Sequence, residues 1–190
     1  MVAARFAGVG HGAAARCAAA PFSLRGSSSF ATLFPMKLLV QRVTEASVSI
    51  EGSVRAAIGR GYMVLVGCRT GDTEADVDYL ADRLAGLRVF CDEAGKMNRS
   101  VVDIGGSVLL VSQFTLYADT KKGNRPSFLL SGDPAAAKAL FDRFCEAMRA
   151  RLSPERVGTG VFAADMQVAL VNDGPVTIEL CSDAKFPKGE

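Results

Sequence analysis

The stretch VNDGPVTIEL, residues 171–180, begins and ends with strand-forming residues but is interrupted in its middle. Asn172, Asp173, Gly174 and Pro175 are typical of a turn, and proline has no N–H to donate to a sheet ladder. Together with the preceding ADMQVAL, the pattern predicts two closing strands joined by this interruption. The other strands of the sheet are predicted from earlier segments of the chain.

Four earlier segments have strand character, and two others have helical character. The predicted strands include residues 37–50, 54–58, 62–66 and 107–112, and the segment DEAGKMN is predicted to be a loop. The first helix, capped by Asp72 or Thr73, and the second, capped by Asp133, each carry one apolar stripe. Their stripe residues are Val77, Leu80, Leu84 and Leu87, and then Leu140, Phe141, Phe144, Met148 and Leu152. This order predicts an α+β domain with a curved, barrel-like mixed β-sheet and two main helices packed on one side.

Length and charge limit the domain count and the class of partner. The chain has 190 residues, 49% of them hydrophobic, which suits a single domain. Residues 1–35 contain three arginines and no acid, so residues 36–190 hold 19 basic and 20 acidic side chains. Because broad adhesion to a nucleic-acid backbone needs a basic surface, we expect few, local contacts with any nucleic acid.

The two ends of the chain are set apart from the domain, which is predicted to span residues 36–182. Residues 1–35 are rich in alanine, serine and arginine, as organelle transit peptides are. The alternative is a disordered or wrongly included extension before a true start at Met36. Residues 183–190 form a short tail. No run of 18 apolar residues predicts a membrane span, and five widely spaced cysteines predict reduced thiols.

The types of residue available restrict the chemistry. The single histidine, His11, lies in the N-terminal extension, so the domain has neither a Ser-His or Cys-His pair nor a histidine metal site. No phosphate-binding glycine loop is present, and the carboxylates form no motif. Two segments hold polar or aromatic residues that core packing does not require: SQFTL, residues 112–116, and GNRPSF, residues 123–128.

Six short motifs, taken in order, carry a resemblance to a known family. They are QRV (41–43), GKMN (95–98), SQFTL, GNRPSF, FAADMQV (162–168) and VNDGPVT (171–177). Over about Met36 to Cys181 the chain resembles the D-aminoacyl-tRNA deacylases of bacteria and eukaryotes. The resemblance implies a cytoplasmic homodimer without cofactor or metal, which hydrolyses the ester between a D-amino acid and tRNA. It also implies removal of glycine from the alanine tRNA, and neither a membrane nor a DNA partner.

The resemblance implies that catalysis works through the backbone. It assigns the N–H groups of Phe114 and Thr115 to an oxyanion hole at the ester carbonyl. Gln113 and Ser112 orient the strand and the ligand, while the ribose 2′-hydroxyl of the substrate supplies chemical help. Thr115 as a covalent nucleophile stays open as an alternative, although no base in the sequence lies next to it.

The same resemblance gives the interrupted strand a purpose. It implies that the Gly174–Pro175 peptide is cis and that its carbonyl oxygens reach into the active site of the neighbouring subunit. There they accept from the α-ammonium and collide with an L side chain, whereas a D side chain points away. Arg42 matches a family arginine beside this motif.

Three further residues have two interpretations each. Phe162 and Met166 match positions that line a terminal-adenosine pocket, but both also fit a core-packing role. Arg125 contacts a phosphate or caps its own loop. The competing function for the whole chain is a nucleic-acid-binding module without catalysis; salt-sensitive DNA binding without ester hydrolysis is its signature.

Overall fold

The computed structural model describes residues 36–121 and 123–182. The interpretations of residues 1–35 and 183–190 therefore lie outside the described residues. The strands are β1 (Lys37–Ile50), β2 (Ser53–Ile58), β3 (Gly61–Gly67), β4 (Phe90–Cys91), β5 (Met97–Arg99), β6 (Ser107–Ser112), β7 (Val157–Thr159) and β8 (Gln167–Cys181). The helices are α1 (Glu74–Ala85) and α2 (Pro134–Leu152), with short 3₁₀ turns at Phe114–Tyr117 and Pro154–Arg156.

The main sheet is mixed and is organised around β1. Its first half pairs antiparallel with β3, its second half with β2, and β8 runs antiparallel along both halves. Beyond β3 the sheet continues through β6 and β7, and both of these pairings are parallel. The predicted mixed sheet is confirmed, and β6 lies between β3 and β7 in its parallel half.

The sheet curls until its two outer strands approach each other. A Cβ placed on Gly158 of β7 would lie 3.3 Å from the Ala56 Cβ and 3.5 Å from the Ile58 Cγ2, both on β2. The sheet is therefore nearly closed into a barrel, as predicted. Successive side chains of a strand point to opposite faces of the sheet, and they pack into two separate buried clusters. The inner cluster contains Val43, Ala46, Val48, Met63, Leu109 and Val111.

The two helices cover the other face of the sheet. Their buried residues join those of β1, β3 and β6 in one larger core cluster. Thr73 caps α1, where the Asp76 carboxylate accepts from the Thr73 N–H at 2.9 Å and from its hydroxyl at 2.6 Å. Asp133 caps α2, accepting from the N–H groups of Ala135 and Ala136 at 3.1 Å. The packing of both helices on one side is confirmed. In the described ranges no helix is long and apolar enough to cross a membrane.

The closing segment differs from the prediction. Residues 167–181 form one strand, β8, and not two strands joined by a turn. Gln41 pairs with Thr177 and Val43 pairs with Asn172, so residues 173–176 face the single residue Arg42. The prediction was wrong because the ladder to β1 resumes on both sides, which turns the Asp-Gly-Pro interruption into a bulge.

The segment DEAGKMN is also more regular than predicted. Its last two residues belong to β5, and the others form the turn between the short antiparallel strands β4 and β5. The Asp92 carboxylate accepts from the N–H groups of Ala94 and Lys96, both at 2.9 Å, and so closes the turn between them. Strands of two and three residues leave too little alternation in the sequence to be detected.

Candidate active site

A cleft of about 610 Å³ opens where β6 ends. Five of the residues singled out in the sequence line it, namely Ser112, Gln113, Phe114, Phe162 and Met166. The first three come from the end of β6 and the other two from the segment that leads into β8. The cleft therefore joins two motifs that lie about 50 residues apart in sequence. Thr115, Arg42, Arg125, Gly174 and Pro175 are not among its lining residues.

Two backbone N–H groups after β6 have no backbone acceptor among the described residues. The Gln113 N–H still bonds the Val66 carbonyl at 2.8 Å, and then the chain turns into the 3₁₀ helix Phe114–Tyr117. The N–H groups that begin a helix have no acceptor within it. The first two in this turn belong to Phe114 and Thr115. They are adjacent backbone donors, and the first of the two residues, Phe114, lines the cleft.

The Thr115 hydroxyl is held by an amide. Gln113 Nε2 donates to Thr115 Oγ1 at 2.5 Å. An amide is not a base and cannot take a proton from a nucleophile. Among the described residues, no carboxylate accepts a hydrogen bond from this hydroxyl, so the arrangement holds the threonine side chain without activating it.

Phe162 and Met166 contact both the cleft and the interior. The Phe162 ring lies 6.2 Å from that of Phe141 and packs on the large core cluster. Met166 packs on the inner cluster, and its Sδ lies 2.7 Å from the place where a Gly160 Cβ would be. Glycine at position 160 therefore makes room for the methionine. Both interpretations therefore apply to these residues. Each side chain lines the cleft and also packs on a core cluster.

The segment after the 3₁₀ turn folds back over it. The Phe128 ring meets the Phe114 ring edge-on, with centroids 5.1 Å apart and planes 70° apart. Asp119 and Ser127 exchange two backbone hydrogen bonds of 2.8 Å, which hold the base of this loop together. Arg125 lies exposed within it.

The bulge in β8 is braced by two side chains. Arg42, only 7% exposed, donates from Nε to the Asp173 carbonyl at 2.8 Å and from Nη1 to the Val89 carbonyl. Asn172 accepts from the Val176 N–H at 2.7 Å and donates to the Thr177 hydroxyl at 3.1 Å. The Gly174–Pro175 peptide is cis, as the resemblance implies. Both of these residues are exposed, so the bulge presents a braced corner to the outside.

Several cleft residues were missed from the sequence. They include Cys68, Ser131, Gly132 and Ala137. Burial raises the pKa of Cys68 to about 12, so its thiol stays protonated and unreactive at neutral pH. The nearest signal for Ser131 and Gly132 was their position just before the Asp133 cap. Within the described ranges, no three histidine, cysteine or acidic side chains lie close enough to hold a metal ion.

The chain is similar in sequence to a known protein family and to known proteins. The family model described as D-Tyr-tRNA(Tyr) deacylase matches residues 39–181. The chain is 57% identical over 147 residues to the D-aminoacyl-tRNA deacylase of Thermomicrobium roseum, covering 77% of this chain and 94% of that one. It is 55% identical over 156 residues to the protein of the same name from Myxococcus xanthus, covering 81% and 100%.

Two solved structures are similar to the fold. One, the c-Myc DNA Unwinding Element Binding Protein, has a TM-score of 0.72 and 45% identity, over 76% of this chain and 97% of that one. The other is described as a probable eukaryotic D-amino acid tRNA deacylase. It has a TM-score of 0.67 over 76% and 98%, and because its identity is 18% it shows the fold alone.

Proposed function

The chain belongs to the D-Tyr-tRNA(Tyr) deacylase family, and from this premise we propose how its cleft hydrolyses D-aminoacyl-tRNA. Members of this family are hydrolases that act in translation proofreading, and the activity of this chain is that of a D-aminoacyl-tRNA deacylase. The observation that carries the proposal is the single cleft shared by Ser112, Gln113 and Phe114 with Phe162 and Met166.

The terminal adenosine occupies the cleft against Phe162 and Met166. A base stacked on an aromatic face gains about 1 to 3 kcal/mol, and the apolar wall excludes water from the ester. The ester carbonyl then lies at the N–H groups of Phe114 and Thr115. Each such donor typically contributes about 3 to 4 kcal/mol to the stability of the developing oxyanion.

The chemical step needs no side-chain base from this chain. The 2′-hydroxyl next to the ester assists the attack of water, while Ser112 and Gln113 orient the ligand and the turn. The hydrogen bond from Gln113 to Thr115 supports this interpretation, because it ties the threonine hydroxyl to an amide instead of a base. We assign Arg125 to a phosphate of the acceptor end, and its exposure on the loop over the turn supports this role.

Chiral selection comes from a second subunit. The corner at Gly174 and Pro175 is exposed and does not line the cleft of its own chain, so we assign it to the cleft of a partner in a homodimer. Its carbonyl oxygens accept from the α-ammonium and fill the space that an L side chain needs. Arg42 acts by bracing this corner. Glycine has no side chain to reject, so glycine on the alanine tRNA is also a substrate.

The direct test compares enantiomers. D-tyrosyl-tRNA and L-tyrosyl-tRNA are incubated separately with the protein, and released tyrosine is followed with time. We expect release from the D form alone, and glycyl-tRNA with the alanine anticodon should also be hydrolysed. Equal hydrolysis of the D and L forms would refute the chiral filter.

A second candidate function is DNA binding, favoured by the similarity to the c-Myc DNA Unwinding Element Binding Protein. The near-neutral charge of residues 36–190 opposes it. Tight, salt-sensitive binding to duplex DNA by a protein that releases no amino acid from D-tyrosyl-tRNA would favour this candidate.

The extent and location of the active unit are separate proposals. We assign catalysis to residues 36–182, which the family match at 39–181 supports. A chain that starts at Met36 should keep the full deacylase rate. The cytoplasm is the compartment that the family resemblance favours. A reporter fused to residues 1–35 tests this, and import into a plastid or mitochondrion would make that segment a transit peptide.

A further inference from the structure

We propose that Ser131 is a positioning residue that aims the Thr115 N–H at the ester carbonyl. This inference rests on the oxyanion role proposed above for that N–H. It concerns a residue outside the six motifs of the family resemblance, and it arises from one contact between the loop before α2 and the turn after β6.

The contact acts on the same peptide group as the proposed donor. Ser131 Oγ donates to the Phe114 carbonyl oxygen at 3.2 Å. That carbonyl and the Thr115 N–H belong to one planar trans peptide, in which the two groups point in opposite directions. A hydrogen bond that fixes the direction of the carbonyl therefore fixes the direction of the N–H.

Ser131 is itself held by its surroundings. Its N–H donates to the Phe128 carbonyl at 3.0 Å, and it forms a bridge with Arg69. The next residue, Gly132, donates to the Cys68 carbonyl at 3.4 Å, and a Cβ there would lie 3.0 Å from the Arg69 carbonyl carbon. Asp133, two residues after Ser131, caps α2. The backbone of residues 131–133 is thus anchored to the residues that follow β3 and to the start of the longer helix.

The other contacts of the turn hold neighbouring groups, such as the Thr115 hydroxyl and the Thr115 carbonyl, and not the peptide between Phe114 and Thr115. The first internal hydrogen bond of the turn, from the Leu116 N–H to the Gln113 carbonyl, is long at 3.4 Å. The edge-on contact of Phe128 with Phe114 fixes the ring but not the plane of the following peptide. Since stabilisation by a hydrogen bond weakens steeply when the donor is misdirected, the Ser131 contact sets how well the Thr115 N–H can serve an oxyanion.

The test removes and then restores the hydroxyl. Ser131→Ala loses the donor, Ser131→Thr keeps it, and Ser53→Ala removes a hydroxyl from an exposed position on β2 as a control. Three quantities are measured on the full chain. The first is the single-turnover rate on saturating D-tyrosyl-tRNA, and the second is the Kd of a non-hydrolysable 3′-amide analogue of D-tyrosyl-adenosine. The third is the ¹⁵N shift of the Thr115 amide, whose signal is identified because the threonine signal disappears in Thr115→Ala.

For Ser131→Ala we expect a rate about tenfold lower, because the donor is misdirected and not removed; removal typically costs about 100- to 1,000-fold. The analogue Kd should stay within twofold, the Thr115 amide shift should move, and Ser131→Thr should restore both rate and shift. An unchanged rate, an unchanged shift, or a Kd that weakens in parallel with the rate would overturn the proposal. If the wild-type protein failed to hydrolyse D-tyrosyl-tRNA, the proposed function would fall, while the amide shift would still test the Ser131 contact.

Discussion

Arg42 and Asp173 meet across the β1–β8 ladder through both the backbone and the side chain of the aspartate. Arg42 Nε lies 2.8 Å from the Asp173 carbonyl oxygen and 3.3 Å from its carboxylate. The same guanidinium also reaches the Val89 carbonyl. Since a planar guanidinium fixes the direction of each bond it makes, this pair determines where the bulge of β8 leaves the sheet.

The pair of Arg42 and Asp173 explains why β8 continues beyond its interruption instead of ending there. Arg42 on one side and the Asn172 side chain on the other satisfy the backbone groups that leave the ladder. An unpaired buried backbone group would cost about 1 to 3 kcal/mol. These two side chains therefore hold the bulge in shape without help from the cleft of its own chain. Such rigidity suits the role proposed for the bulge, which is to act on another subunit.

Gly174→Ala should damage this corner for two reasons. Gly174 has a φ of +135°, and a Cβ there would lie 2.8 Å from the Val176 Cγ2 and 2.9 Å from Arg42 Nη2. We expect loss of chiral discrimination or of activity, measured as kcat/KM on D- and L-tyrosyl-tRNA. Gly52→Ala is the matched control, because Gly52 has a φ of +76° but open space around it. It should cost about 1 to 2 kcal/mol of stability and leave selectivity unchanged.

Phe114→Pro should remove one proposed oxyanion donor with little change to the turn. Proline is tolerated at the first position of a helix, and Gln113 before it is already extended, with a φ of −144° and a ψ of 89°. We expect kcat about 100- to 1,000-fold below that of Phe114→Ala, which loses the ring but keeps the N–H. Equal rates for the two variants would remove the Phe114 N–H from the mechanism.

Thr115→Ala should retain activity within about tenfold, whereas a substrate with a 2′-deoxy terminal adenosine should react far more slowly. The reason is that the threonine hydroxyl is bonded to Gln113 and that, in the part of the chain that the structure describes, no base lies beside it. Both are measured as single-turnover rates. An inactive Thr115→Ala protein with an unchanged melting temperature would favour the threonine as a nucleophile.

The stability of the protein should depend on pH through Asp72. Burial is the largest cause that raises the pKa of this carboxyl from 3.8 to about 6 in the folded state. Because the folded pKa is the higher one, the stabilising contribution is complete below pH 3.8 and is lost as pH rises through about 6. Asp72→Asn should therefore exceed wild type in unfolding free energy at pH 7.5, by about 1 to 2 kcal/mol after allowance for solvent screening.

Asp103 provides the control of opposite sign. Its carboxylate accepts from the Ser100 N–H at 2.7 Å and from the Ser100 hydroxyl at 2.8 Å, and these bonds lower its pKa. Asp103→Asn should destabilise the protein at pH 7.5, and the difference from wild type should shrink only as pH falls below 3.8, the ordinary pKa of the carboxyl. Urea unfolding at pH 3, 4.5, 6 and 7.5 measures both variants. Parallel pH slopes for the two would contradict the assignment of Asp72.

Local patterns in the sequence were sufficient for the helices and most strands. The stripe from Val77 to Leu84 and the cap at Asp133 act within one or two turns, and the strand at residues 107–112 is apolar on both faces. SQFTL was noticed because its polar residues follow a buried strand, and the structure brings three of its residues into the cleft.

Features that depend on distant partners could not be predicted. The bulge of β8 exists only in relation to Arg42, 131 residues earlier. Read alone, Asn-Asp-Gly-Pro is indistinguishable from a turn. Ser131 is equally invisible, since a lone serine in a loop has no periodicity, and its importance lies in a carbonyl 17 residues before it.

We propose that the corner at Gly174 and Pro175 serves the cleft of the other subunit. Mixed dimers test it most directly. One subunit carries Phe114→Pro, which disables its cleft, and the other carries Pro175→Ala, which disables its corner; each homodimer is assayed alone as a control. If the corner acts across the interface, the mixed dimer regains one working site, and D-selective hydrolysis should return to about half the wild-type rate. No recovery from verified mixed dimers would show that the corner serves its own chain and would contradict the account.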